Sequence, residues 1–237
     1  MNNRLTRARS LARSRWIQGR VLGVDNSSGM LAQAKAKAKE KSQGPNAGAM
    51  SWMEADAMEM TLPARAFDRA YCQQGLQFMT DPTETAKRVL KALKPGGHFT
   101  CAIWTHASAE ENQIMYHLGE ALRDVGCERF VPVAVKPMSW SRSRPEGAAK
   151  IEDVLIAAGF INPDVCVEDG DFTFKDLTTA VEIAKVGPYG EELASDSALW
   201  TAFAENFSRR LAPFIQSDGS VVVPARSFVG HGVAPWN

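Results

Sequence analysis

The sequence predicts an α/β fold: a doubly wound, mostly parallel sheet. Three observations carry this expectation. Short apolar runs (RVLGVD at 20–25, AMSWME at 49–54, FDRAYC at 67–72, HFTCAIW at 98–104) alternate with stretches of helical periodicity. Strands joined by crossover helices lie parallel, with a right-handed connection. The stretch 66–104 is also punctuated as strand, loop, helix, tight turn and strand, and 237 residues suffice for one sizeable core.

Taken in order, Arg20–Asp25 is a short apolar strand that ends in a carboxylate. Ser27 or Ser28 then caps a helix of strong helix formers, with Met30, Leu31, Ala34 and Ala38 expected inward. Residues 44–48 form a loop, and Ala49–Glu54 a strand followed by Ala55-Asp56-Ala57. After the strand Phe67–Cys72 and the polar pair Gln73-Gln74, Asp81 caps a helix with Pro82 at its first position and Glu84 at the capping-box position. Ala86, Val89, Leu90 and Leu93 give that helix one buried face, Lys94 ends it, and Pro95-Gly96-Gly97 forces a turn. In the strand His98–Trp104, Phe99, Cys101 and Ile103 share one side.

Further on, Ser108 and Glu111 suggest a capping box for a helix with Ile114, Leu118, Ala121 and Leu122 on one face. Residues 131–147 read as a long connection. Ile151, Val154, Leu155 and Ala158 mark the next helix, stopped by Gly159, and Phe160–Val167 is a strand. Residues 172–193 and 196–211 read as a second helical block, and Gly219–Val229 as the last strand.

Composition sets outer bounds. Formal net charge is zero, so no basic field argues for nucleic acid, and no apolar run approaches the ~20 residues of a bilayer span. Cys72, Cys101, Cys127 and Cys166 include no Cys-x-x-Cys pair and read as small buried hydrophobes, without a metal site and in a reducing compartment. Arg4, Arg7, Arg9, Arg13, Arg15 and Arg20 precede the first acid, Asp25. Such a start resembles an organelle transit peptide for a stroma or matrix; its alternative is a solvated basic face on a cytoplasmic protein.

The pattern G-V-D-x-S-x-x-M-L-x-x-A through Asp25, Ser27, Met30, Leu31 and Ala34, the E-A-D-A at 54–57 and the KALKPGG turn resemble class I S-adenosylmethionine-dependent methyltransferases. The likeness is greatest to the small-molecule group that includes quinone and sterol methyltransferases, and covers residues 20 to about 233. It implies one methyltransferase domain over 20–237 behind an Arg-rich segment at 1–19. Helical insertions at about 105–150 and 170–215 would then wall the substrate side, and the last strand would run antiparallel in a Rossmann-like sheet. S-adenosylmethionine is the implied cofactor and a small molecule the partner. Asp25 would hold the ribose hydroxyls, Asp56 and the Ala57 N–H the adenine edge, with Asn26, Met30 and Gln73 also against the cofactor. Gln74, Trp104, Thr105 and His106 would line the substrate side, and His106 is the one candidate base by position; its alternative is an ordinary surface histidine. Met58, Met60, Met79 and Met115 read as core or as pocket lining.

The sequence departs from that family in one respect. The family's first strand and glycine-rich G-x-G-x-G loop belong before Arg20, where residues 1–19 hold one glycine, Gly19, and no strand-like run. Either the second strand pairs directly with the fourth, or the chain is incomplete. The expectation is weak cofactor binding, with a non-catalytic binding or scaffold domain as the alternative. A nicotinamide-dependent oxidoreductase is a further alternative, because an acid also ends the second strand of dinucleotide-binding folds.

Overall fold

The computed structural model describes residues 19–41, 50–134, 144–186 and 189–236. The Arg-rich start through residue 18, the loop at 44–48 and much of the 131–147 connection lie outside them. The chain divides into two compact units between Thr61 and Leu62.

In the first unit, strand β1 (Val21–Asp25) pairs in parallel with β2 (Met50–Glu54), Val21 facing Met50 and Asp25 facing Glu54. The connecting helix α1 (Ser28–Lys41) starts at Ser27, whose Oγ accepts the Met30 N–H at 3.3 Å. Leu31 is buried, but Met30 is 55% exposed, against the expectation that it packs inward. Among the described residues this helix has two paired strands to cover, and Leu31 is buried while Ala34 and Ala38 are half-buried. Gly23 matters for β2: a Cβ there would lie 2.5 Å from the Trp52 ring.

The second unit holds a four-stranded sheet in the order β3-β4-β6-β5. Its strands are β3 (Phe67–Gln73), β4 (Leu93–Trp104), β5 (Ile161–Phe174) and β6 (Val221–Val233). β3 and β4 are parallel, and β6 is antiparallel to both neighbours, as expected of the last strand. The strands expected in one sheet thus fall into two hydrogen-bonded sets. Among the described residues β1 pairs only with β2, and not with FDRAYC as the direct-pairing alternative required. Among the described residues β3 has a strand neighbour on one side only.

Helix α2 (Pro82–Ala92) begins as predicted: Asp81 Oδ1 accepts the Glu84 N–H at 2.9 Å, with Pro82 in the first turn. It ends two residues before Lys94. The Arg65 and Ala66 N–H groups bond the Lys91 and Ala92 carbonyls, which draws the chain into the sheet early. The Pro95-Gly96-Gly97 turn therefore lies inside β4, with Gly96 at φ +71. The C-terminal tail is tied to this turn: Gly96 N–H bonds the Ala234 carbonyl at 3.0 Å and Ala234 N–H the Gly97 carbonyl at 2.8 Å.

Phe99, Cys101 and Ile103 are buried as predicted, as are Ile151 and Leu155 of helix α5 (Arg144–Ala158) and Ala86 and Val89 of α2; Cys101, Ile151 and Leu155 surround Gly230. A second core joins the insertions. Between β4 and α5 come helix α3 (Gln113–Asp124) and the short α4 (Val131–Ala134); between β5 and β6 come α6 (Leu177–Glu182), α7 (Gly190–Ser195) and α8 (Ser197–Leu211). Ile114, Leu118 and Leu122 of α3 pack with Leu193, Phe203, Phe207 and Leu211 and with Val221 and Val223 of β6.

Two expectations need correcting here. Residues 172–174, placed in the helical block, are strand, because β5 runs on to pair Phe174 with Val221. The helix after β4 starts at Gln113 behind Asn112, and not from a Ser108–Glu111 box, because the Asn112 side chain is committed elsewhere. Of the cysteines, Cys101 and Cys127 are buried and Cys72 half-buried, but Cys166 is exposed, on the outer strand of the sheet.

Candidate functional site

In the first unit, parallel pairing brings Asp25 and Asp56 to the same ends of neighbouring strands. Asp25 closes β1 opposite Glu54, and the Ala55 N–H bonds the Asp25 carbonyl at 3.1 Å. Each carboxylate opens a turn: Asp25 Oδ1 accepts the Ser27 N–H and Asp56 Oδ1 the Met58 N–H, both at 2.8 Å. One oxygen of each thus shapes its own loop. Asn26 and Met30 are exposed and Ala57 is half-buried.

In the second unit, the carboxyl ends of β3 and β4 gather polar side chains. Gln73 is exposed at the end of β3, opposite Ala102. Gln74 follows at φ +56, a left-handed backbone that costs a non-glycine residue about 1 kcal/mol or more. Two bonds hold it there, from its N–H to the Ala102 carbonyl and from Nε2 to Ser227 Oγ, each 2.8 Å. The chain then makes a short turn, Leu76–Phe78, with Leu76 and Gln77 buried. Gln77 Oε1 accepts the Trp104 N–H at 3.3 Å, one rung beyond the end of β3. Its amide supplies the acceptor that a longer β3 would have supplied. Trp104 is half-buried, with its ring 4.9 Å from that of Phe172.

Thr105 and His106, grouped at sequence level, part company. Thr105 is 1% exposed and its hydroxyl is engaged, donating to the Arg226 carbonyl and accepting from Asn112. His106 is exposed; its carbonyl accepts the Asn112 N–H. Asn112 itself is fully buried. Its Nδ2 bonds the Thr105 carbonyl at 2.8 Å, Thr105 Oγ1 at 2.9 Å and the Arg226 carbonyl at 3.2 Å, while Oδ1 accepts the Arg226 N–H at 3.1 Å. One side chain thereby fastens the end of β4 to β6 and to the start of α3.

Arg226 points the other way, to Asp169 and the Glu110 carbonyl, and borders a depression of about 300 Å³ with Glu110, Glu111 and Asp171. The hydrogen bond to Asp169 pushes its guanidinium above the ordinary range. Asn112, Gln77 and Ser227 were missed in the sequence. Asn112 left one signal, a polar residue directly before an apolar helical stripe; Gln77 left another, a glutamine between Leu76 and Phe78. Ser227 left none.

Among the described residues no group of three or more His, Cys, Asp or Glu side chains could hold a metal, and no helix is long and apolar enough to cross a membrane. Residues 6–101 match the methyltransferase domain family. A demethylmenaquinone methyltransferase of Lactococcus lactis is 31% identical over 148 residues, 60% of this chain and 56% of that protein. A 2-phytyl-1,4-naphtoquinone methyltransferase of a Nostoc species is 34% identical over 85 residues, 36% of each chain. The chain thus spans about half or less of the length of these relatives. Among solved structures, a Bacillus halodurans protein assigned to the methyltransferases aligns over 99% of this chain and 100% of its own, at TM-score 0.51 and 13% identity. The phosphoethanolamine N-methyltransferase 2 of Haemonchus contortus, in complex with phosphomonomethylethanolamine and S-adenosylhomocysteine, aligns over 96% of this chain and 52% of its own, at TM-score 0.50 and 16% identity.

Proposed function

We propose, taking the chain as a class I S-adenosylmethionine-dependent methyltransferase in its matched segment and its fold, that it transfers a methyl group to a small organic molecule. The observation that carries this reading is the placement of Asp25 and Asp56 at the carboxyl ends of neighbouring parallel strands, inside the matched segment. That segment includes residues on both sides of the division at Thr61.

The donor set suits the cofactor. A carboxylate such as Asp25 accepts two ribose hydroxyls side by side, and Asp56 followed by the Ala57 N–H presents an acceptor beside a donor, the complement of the adenine edge. S-adenosylmethionine supplies a methyl group already activated on a sulfonium. The protein's task is alignment and exclusion of water, with a base only where the acceptor must lose a proton. In this reading the second unit contributes by itself Gln73, Gln74 and Trp104 at the carboxyl ends of β3 and β4, and His106 is the candidate base by position. The acceptor is a small molecule, in keeping with the relatives' names.

Calorimetry on the full chain with S-adenosylmethionine tests the reading. We expect saturable binding of S-adenosylmethionine. Asp25→Ala is expected to weaken it by about tenfold or more through loss of charge-assisted bonds. No heat at millimolar cofactor would refute the reading in favour of a non-catalytic binding domain.

A further inference from the structure

Two of the chain's four histidines meet on the sheet of the second unit. His98 lies opposite Val233 and Thr100 opposite His231, so the two rings are diagonal neighbours across β4 and β6. A Cβ at Gly230 or Gly232, on either side of His231 in the chain, would meet Ile151 or Phe160. Those glycines therefore face α5, and His231 faces the other way. Both histidines are half-buried. His98 Nδ1 and His231 Nε2 lie 2.9 Å apart, so in the neutral pair one ring carries the proton of this contact and the other accepts it.

Two imidazole nitrogens turned towards each other are also two ligands for one cation. Zinc holds imidazole nitrogen at about 2.0–2.1 Å in a tetrahedral shell, which sets two such nitrogens about 3.3–3.4 Å apart. The contact between His98 and His231 has to open by about half an ångström to reach that spacing. A ring centre lies about 3.2 Å from a metal bound in its plane, so two rings on one tetrahedral ion have centres about 5.2 Å apart. The centres of His98 and His231 are 5.1 Å apart. The rings therefore need only turn where they stand, and the strands keep their register. The proton of the contact passes to the outer nitrogen of its own ring, so both inner nitrogens present lone pairs and no proton is released. Hard cations such as magnesium and calcium prefer oxygen, whereas imidazole suits zinc.

We propose that His98 and His231 form a two-histidine zinc clip between β4 and β6. Two side chains fill half of a tetrahedral shell, and the described residues bring no third ligand to it. Water completes the shell, so the clip binds more weakly than a closed four-ligand site. In register, Asp164 stands beside His231 and Arg69 beside His98; the first attracts a dication and the second repels it. The clip lies at the opposite end of the β4–β6 pairing from Trp104, and it is independent of the methyl transfer proposed above.

The test uses the full chain with its histidine rings labelled with nitrogen-15, titrated with zinc chloride and followed by magnetic resonance. Zinc is expected to shift His98 Nδ1 and His231 Nε2 together, saturably, and to raise the midpoint of thermal unfolding. His98→Gln and His231→Gln should each weaken zinc binding by roughly tenfold or more and remove most of the gain in midpoint. Glutamine keeps a hydrogen-bonding group at each position, and circular dichroism without zinc shows whether the variants are folded. Should one fail to fold, the ring shifts of the wild type still decide. Magnesium chloride serves as the control and should leave both rings unmoved. Zinc that shifts only His106 or His117, no shift of the pair at roughly millimolar zinc, or folded variants that keep the wild-type affinity would each overturn the proposal. So would magnesium that moves the same two nitrogens as far as zinc does, since that is a response to charge and not coordination.

Discussion

Removing the Asn112 amide should cost the second unit more than any comparable change at its surface. The side chain is fully buried and makes four hydrogen bonds to two separate segments, Thr105 and Arg226. Asn112→Ala leaves the Arg226 N–H without its acceptor and the Thr105 carbonyl without the bond at 2.8 Å. The Arg226 carbonyl keeps the Thr105 N–H at 3.2 Å, so it is not orphaned. Two unmet buried backbone groups at about 1–2 kcal/mol each give a loss of about 3 kcal/mol. For a unit of this size that corresponds to a fall of about 6–12 °C in the midpoint of thermal unfolding. Asn112→Asp retains the acceptor for Arg226 but loses the donors and buries a charge beside two carbonyls, so it should not rescue. Calorimetric unfolding of the wild type and both variants makes the comparison. A loss below about 0.5 kcal/mol for Asn112→Ala, the range of ordinary surface changes, would refute the idea that this amide fastens β4 to β6.

Two further outcomes are expected. Gly96→Ala places a side chain at φ +71 and a Cβ 2.3 Å from the Trp236 ring, so it should destabilise by about 1–3 kcal/mol. In a Trp236→Ala background part of that cost should vanish, which a double-mutant cycle of urea midpoints would read. His98 Nδ1 and His231 Nε2 lie 2.9 Å apart, flanked in register by Arg69 and Asp164. Burial first, and then His98, hold His231 below its ordinary value of 6.5. The folded protein then binds fewer protons here than the unfolded chain. This contribution to stability is complete above the unfolded value and is lost as pH falls below about 6.5 towards the lowered folded value. His231→Gln should flatten the pH dependence of the urea midpoint in that range; an unchanged slope would count against the pair.

Much of the architecture was legible in local chemistry. The Asp81-Pro82 start of α2 and the buried trio Phe99, Cys101 and Ile103 follow from capping and from the period of two, and both are found. The placement of Asp25 and Asp56 at the ends of neighbouring strands was legible for the same reason, since each follows an apolar run. What escaped was set by partners distant in sequence. The length of β5 depends on β6, some fifty residues on, so Phe172–Phe174 read locally as part of the helical block. Ser108 and Glu111 satisfy a helix-start pattern, but Asn112 takes the position because its amide has partners at Thr105 and Arg226. Gln77 and Ser227 owe their roles to a rung that exists only once β6 has been laid beside β4.

The register of β5 and β6 also bears on how the chain folds. Phe174 faces Val221, so the whole segment carrying α6, α7 and α8 is one closed loop, entered and left through the same rung. Closing a long loop has an entropic penalty that grows only with the logarithm of its length. A loop that condenses on itself first brings its own ends together. Val221 and Val223 lie in the core formed by Phe203, Phe207 and Leu211, so the contacts that condense the loop are also those that align its closing strand. The helical block acts as a clasp on the hairpin. Destabilising changes at Phe203 or Phe207 should therefore slow the pairing of β6 with β5, although neither residue lies in a strand.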